Sequence, residues 1–291
     1  MERTLLFNCR MVCPEQKVVL EDALVSFNHM NPVNPPDLIG YASERISQNA
    51  PDCSHPTEED AALDMEGTTI LPGLIDLDAA LFGSAHFLDE AACLEAYRRS
   101  AKALYRGITS VGYLGRTNKV KALAAMSNSY ALWTPALVCA DDLKLKDYRV
   151  FYGAPAKGTH AEIDYLAAVK SAVAERRIPA VSTGLSADDT IDGYMPLVRA
   201  AMLLVEGGYD PMEALAAITC NNAALLGISD RTACLREGFE GDIIAVEGRP
   251  ESDIATLANI RLAARGGRLI NSTLKNFPRT RFALVPPGCA F

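Results

Sequence analysis

The sequence predicts an α/β protein: strands and helices alternate through the middle of the chain, and strand segments return at both ends. Three observations carry this. Within residues 69–227, short β-branched apolar runs alternate with stretches of helical period. Before residue 69 and after residue 235, the apolar runs are short and broken by Pro, Asn, Asp and Gly, without helical spacing. The helical stretches also carry start and stop signals, most completely at Asp210-Pro211-Met212-Glu213, with Gly227 at the far end.

In chain order, residues 4–7, 17–20 and 23–27 read as small strands, and 28–64, rich in Pro, Asn, Ser and acid, as a surface insertion. Residues 69–77 read as a strand entered through the bend Pro72-Gly73. Asp89 can cap a helix whose apolar face is Leu94, Tyr97, Ala101 and Leu104, closed by Gly107. Residues 108–114 form a buried strand, 119–126 a weak helix and 133–139 another strand. An irregular stretch containing Tyr148 and Tyr152 follows, then a helix over 161–175 carrying Ile163, Leu166, Val169 and Val173, and a strand over 178–183. The capped helix at Asp210 runs to about Leu226. Three strands close the chain at 242–246, 260–264 and 268–270. Alternation of this kind implies a parallel sheet, flat or closed into a barrel.

The bulk properties narrow the function classes. With 291 residues, 49% of them hydrophobic, the chain has room for one large domain or two modest ones. A formal charge of -8 and no clustered Lys or Arg argue against a nucleic-acid partner, because phosphate binding needs such clusters. No run approaches the ~18 apolar residues of a membrane span, and no secretory signal is read at Met1 to Asn8, so a cytoplasmic protein is expected. The eight cysteines are scattered without a CxxC pair and read as reduced, mostly buried small side chains. There is no nucleophile elbow, no phosphate-binding loop and no dinucleotide fingerprint.

Three segments together resemble the metal-dependent amidohydrolase superfamily. Gly67-Thr68-Thr69-Ile70-Leu71-Pro72-Gly73-Leu74-Ile75-Asp76 is similar to that family's entry into barrel strand one. Leu104-Tyr105-Arg106-Gly107-Ile108-Thr109-Ser110-Val111 is similar to its entry into strand two. Gly208-Tyr209-Asp210-Pro211 through Leu226-Gly227, continuing over Leu235-Arg236-Glu237-Gly238-Phe239-Glu240-Gly241-Asp242, resembles the last barrel helix and the return to a β-sandwich. The resemblance implies a truncated or distorted TIM-like (β/α) barrel over 69–234. It also implies a small β-sandwich built from both termini, 1–68 with 235–291, and a site at the C-terminal ends of the barrel strands. Room for five or six strand-helix units of ~25 to 30 residues, not eight, places a gap between Cys139 and His160 or over 185–194. A natural minimal form and an incomplete gene product both remain open.

The family's metal-binding pattern is depleted here. Where it places a His-x-His pair, this chain has Asp78-Ala79-Ala80; alternate strand residues share a face, so Asp78 can offer an oxygen and Ala80 nothing. Of four histidines, His29 and His55 lie outside the barrel zone, leaving His86 and His160. The candidate metal ligands are therefore Asp78, His86 and His160, although His160 at a helix start reads equally as a surface residue. Asp188 and Asp189 are the candidates for the acid that, by the resemblance, acts as general base toward a metal-bound water; they also read as a helix N-cap. At most one divalent ion, zinc by resemblance, is expected, and the cofactor is otherwise unknown. The expected activity is hydrolysis of a non-peptide carbon–nitrogen bond in a small molecule. The alternative is a catalytically inactive relative that binds or self-associates through its unpaired strand edges.

Overall fold

The structure, a computed structural model, describes residues 3–28, 39–44, 61–78, 90–113, 135–139, 145–184 and 189–274. In the N-terminal part, β1 (Arg3–Cys13) and β2 (Val18–Asn28) form a hairpin whose Cys13 and Val18 face each other across the turn. Lys17 takes a left-handed φ of 53° there. Two further strands, β3 (Ile39–Glu44) and β4 (Ala61–Asp64), fall in the stretch expected to be a surface insertion; they flank β2 and β1 respectively. Neither is legible as a strand because six and four residues offer too little alternation to stand out from a polar background.

Next comes β5 (Thr69–Pro72), which lies parallel to β1. The run expected to be one strand is in fact two. Gly73 ends β5, and β6 (Leu74–Asp76) starts a different sheet. The hand-over demands glycine: a Cβ at Gly73 would lie 2.2 Å from the Thr109 hydroxyl oxygen. Its N–H donates to the Asp242 carbonyl at 2.8 Å.

Beyond Gly73 the core alternates. Helix α1 (Glu90–Tyr105) leads through Gly107 into β7 (Ile108–Tyr113), and β8 (Ala136–Cys139) follows. These strands form a parallel ladder in the order β6-β7-β8. The weak helix expected at 119–126 lies outside the described residues. The irregular stretch after 139 contains a strand, β9 (Tyr148–Tyr152), parallel to β10 (Ile178–Ser182). Helix α2 (His160–Ala174) joins them, capped by Thr159, whose hydroxyl accepts from the Glu162 amide at 3.1 Å.

Helix α3 (Pro196–Glu206) was not foreseen. It has no polar cap, since Met195 makes no side-chain bond, and eight of its residues, Arg199 among them, are buried. The helix expected from Asp210 to Leu226 divides into α4 (Pro211–Ala217) and α5 (Cys220–Leu226). The capping box at Asp210 and Glu213 forms, and Gly227 ends α5 with φ 70°. The break has two visible causes. The Ile218 carbonyl accepts from the Ile75 amide of β6 at 2.8 Å, and the Thr219 hydroxyl donates to the Leu215 carbonyl at 2.7 Å.

The last strands, β11 (Ile243–Val246), β12 (Ile260–Arg265) and β13 (Arg268–Ser272), return to the first sheet. Strand β11 pairs antiparallel with β5, so both chain ends share one eight-stranded sheet in the order β13-β12-β11-β5-β1-β2-β3, with β4 on β1. Alternation along β11 sends Ile244 and Val246 into the cluster with Leu74, Ala103 and the α3 and α4 helices. Ile243 and Ala245 go to the opposite cluster, with Leu6, Val25, Leu63 and Leu262.

The two parallel ladders meet at their C-terminal ends. The Leu77 amide donates to the Val181 carbonyl at 3.3 Å, and the Gly184 amide to the Asp78 carbonyl at 2.8 Å. No closed barrel forms among the described residues. No helix there is long and apolar enough to cross a membrane.

Candidate active site at the ends of strands β6 and β10

Parallel strands deliver their last residues to one end of a sheet, and here β6 and β10 deliver Asp76 and Thr183. Asp76 is 1% exposed. One carboxyl oxygen accepts from the Thr183 amide at 3.0 Å and the Asp78 amide at 3.2 Å; the other accepts from the Thr183 hydroxyl at 2.5 Å. Burial pushes the Asp76 carboxyl up to about 7, because a buried charge loses its hydration. The bonds from Thr183 and Asp78 oppose that shift, and the neighbouring Asp78 charge adds to it.

Just below, Asn222 of α5 fills the gap between β6 and β10. Its side chain is fully buried, donates to the carbonyls of Ile75 at 2.7 Å and Val181 at 2.8 Å, and accepts from the Val181 amide at 3.1 Å. It supplies the ladder bonds that the two strands do not give each other at this height.

The expected site residues that the structure describes stand at three places in the fold. Asp78 stands half-exposed at the end of β6, beside Asp76. His160 is exposed, as the first residue of α2, and Asp189 is exposed on the segment after β10. His86 and Asp188 lie outside the described residues. Among the described residues, no group of three His, Cys, Asp or Glu is placed to hold a metal ion. Sequence reading gave Asp76 only a place in the strand-entry motif, and Thr183 and Asn222 no role at all. The signal available was the acid at the end of a β-strand, which in a parallel α/β core lies at the functional end.

Other buried polar groups serve the fold. Asp242 accepts from the Gly266 amide at 2.7 Å and the Thr232 hydroxyl at 3.2 Å. Cys9, Cys13, Cys220 and Cys234 are free thiols. Burial pushes Cys13 and Cys220 up to about 11 and Cys234 to about 12, which keeps them protonated and unreactive at neutral pH. Cys139 ends β8, as expected.

The amidohydrolase family model matches residues 165–270. That segment runs from α2 through Thr183 and Asn222 to β13. Residues 165–270 are thus the part of the chain that is similar to the amidohydrolase family. The amidohydrolase resemblance read from Gly208 to Asp242 falls wholly within it. Solved structures agree at the level of fold. Molinate hydrolase has a TM-score of 0.66 at 13% identity, covering 98% of this chain and 99% of the other. Ochratoxinase from A. niger has a TM-score of 0.65 at 14% identity, covering 94% and 96%. A zinc-bound adenosine deaminase from Xanthomonas campestris has a TM-score of 0.58 at 13% identity, covering 92% and 93%. Among curated proteins, none matches the chain in sequence.

Proposed function

We propose that the chain is an amidohydrolase-type hydrolase, acting on a non-peptide carbon–nitrogen bond of a small molecule at the C-terminal ends of β6 and β10. The observation that supports this most is the junction of the two ladders. There a buried carboxyl accepts from a threonine and from the backbone amide of Asp78, a half-exposed acid two residues on. Hydrolysis of a C–N bond needs a group that takes a proton from water and a group that returns one to the leaving nitrogen. Asp78 is the acid open to solvent at this end. Asp76, pushed up to about 7, is about half protonated at neutral pH and fixes the Asp78 and Thr183 backbones.

A divalent ion, implied by the family resemblance, would supply activated water when bound. Asp76 does not fit as its ligand, since Thr183 and Asp78 already engage both oxygens. Asp78 remains, with His86, His160, Asp188 and Asp189 as the other sequence candidates. The described residues do not fit the binuclear centre, which takes roughly five or six protein ligands. No step through an ion is derived.

A second reading, a non-catalytic relative that binds or self-associates, is favoured by Ala80 standing where the family carries histidine. The same proposal takes 1–68 with 235–291 as one unit and 69–234 as the other, in a cytoplasmic protein. The deciding experiment measures amine or ammonia release from a panel of amides and cyclic amides, with zinc or manganese added, alongside metal content by elemental analysis. Turnover that Asp78→Ala abolishes is the expected result. No release from any amide, with or without metal, sinks the hydrolase reading in favour of the second.

A further inference from the structure

The outer edge of β9 carries backbone groups that match themselves. Among the described residues β9 pairs on one side only, with β10. The bonds at its two ends fix which of its groups face β10. The Asp147 carbonyl accepts from the Ile178 amide at 3.0 Å, and the Gly153 amide donates to the Ser182 carbonyl at 2.9 Å. In a parallel ladder every second residue turns both its N–H and its C=O to the same neighbour, so Arg149 and Phe151 also face β10. Tyr148, Val150 and Tyr152 face the other way.

Tyr148 is satisfied locally. Its amide donates to the Leu145 carbonyl at 3.0 Å, and its carbonyl accepts from the Arg177 guanidinium at 2.9 Å. Val150 and Tyr152 each keep an outward N–H and an outward C=O, and these form no hydrogen bond among the described residues. Two donors and two acceptors, two residues apart, are self-complementary about a two-fold axis at Phe151. Val150 then lies opposite Tyr152 of the second copy, and Tyr152 opposite its Val150, each pair exchanging two N–H···O bonds in an antiparallel ladder. The side chains agree with this register. Both pairs set a tyrosine ring beside a β-branched side chain, a favourable cross-strand combination. The exposed Arg149 falls opposite Gly153, so no like charges face each other directly. An axis at Val150 instead would oppose Tyr152 to Tyr148, whose backbone groups are already engaged.

We propose that the outer edge of β9 is the contact of a two-fold dimer of this chain, joined antiparallel about Phe151. The inference is independent of the hydrolase reading. The two β9 strands run in opposite directions, so the candidate sites of the two copies stand at opposite ends of the joined sheet. A contact of this length is small beside a standard interface, which sets the dissociation constant in the micromolar to millimolar range.

Sedimentation equilibrium of the full chain, from micromolar to millimolar concentration, is expected to show the mass rising from one chain to two. Over the same range, hydrogen exchange followed by NMR is expected to slow at the amides of Val150 and Tyr152. The amides of Arg149 and Phe151, which already serve β10, are expected to stay unchanged. Tyr152→Pro removes an outward donor and leaves the bonds to β10 in place, and the side chain it replaces is 62% exposed. It is expected to weaken the dimer about tenfold or more, through the loss of two bonds per dimer. Tyr152→Lys keeps that donor and places a charge on the edge, and it too is expected to weaken the dimer. A monomer at every concentration, a dimer that either folded variant leaves at full strength, or a dimer without slower exchange at Val150 and Tyr152 overturns the proposal. Protection of both amides in a monomer also overturns it, because another segment of the chain then covers the edge.

Discussion

Thr183 holds Asp76 by two atoms at once, its amide at one carboxyl oxygen and its hydroxyl at the other. Removing the hydroxyl leaves a buried carboxyl oxygen without that donor. Thr183→Val is therefore expected to destabilise the protein by about 1 to 3 kcal/mol in urea denaturation, while Thr183→Ser loses much less. Equal losses in the two variants would show that the methyl group matters and the hydroxyl does not.

Asp76 also makes stability depend on pH. Its folded-state value of about 7 lies above the ordinary 3.8, so the folded protein binds the extra proton between those values. Stability then falls as pH rises from about 4 to about 7 and is flat outside that window. Between pH 5 and pH 8 the contribution is at most roughly 3 kcal/mol. Asp76→Asn can keep the same bonds, with its oxygen accepting from both amides and its nitrogen donating to the Thr183 hydroxyl. Comparing urea midpoints, the gap between variant and parent is expected to widen in favour of the variant from pH 5 to pH 8. Parallel curves would refute the assignment.

Asn222 bridges β6 and β10 with three bonds to buried backbone. Asn222→Leu has similar bulk but abandons two carbonyls and an amide, at about 1 kcal/mol or more apiece. A loss of roughly 3 kcal/mol is expected, and a loss under about 1 kcal/mol would mean that water replaces the side chain.

Arg199 of α3 and Glu162 of α2 form a buried ion pair, with Glu162 also accepting from the Gly158 amide at 2.6 Å. Removing only the cation leaves the carboxylate buried, so Arg199→Leu is expected to cost about 3 to 5 kcal/mol. Replacing both, Arg199→Leu with Glu162→Gln, is expected to cost clearly less. A double variant as unstable as the single one would show that packing of the arginine stem is what counts.

How much of this was legible in the sequence follows the strength of local signals. The Asp210 capping box and the Gly227 terminus are encoded within a few residues and formed as read. Strand β9 was missed because Tyr148-Arg149-Val150-Phe151-Tyr152 is half polar at its edges and has no turn signal of its own. Helix α3 was missed because it begins at Pro196 after Met195, with no polar cap to mark its start. Of this candidate site, the sequence pointed to Asp78 alone, and Asp76 was read only as part of the strand-entry motif. Its other members, Thr183 and Asn222, lie 107 and 147 residues from their partners Asp76 and Ile75, and no local pattern reveals contacts of that range.

The hand-over at Gly73 has a mechanical consequence. Only Leu74 and Ile75 separate it from Asp76, and β5 on its other side is clamped between β1 and β11. The titrating acid is thus attached by a lever of two residues to a sheet woven from the first and last parts of the chain. Two residues of strand are all that stand between the acid and the pairing of β5 with β1 and β11.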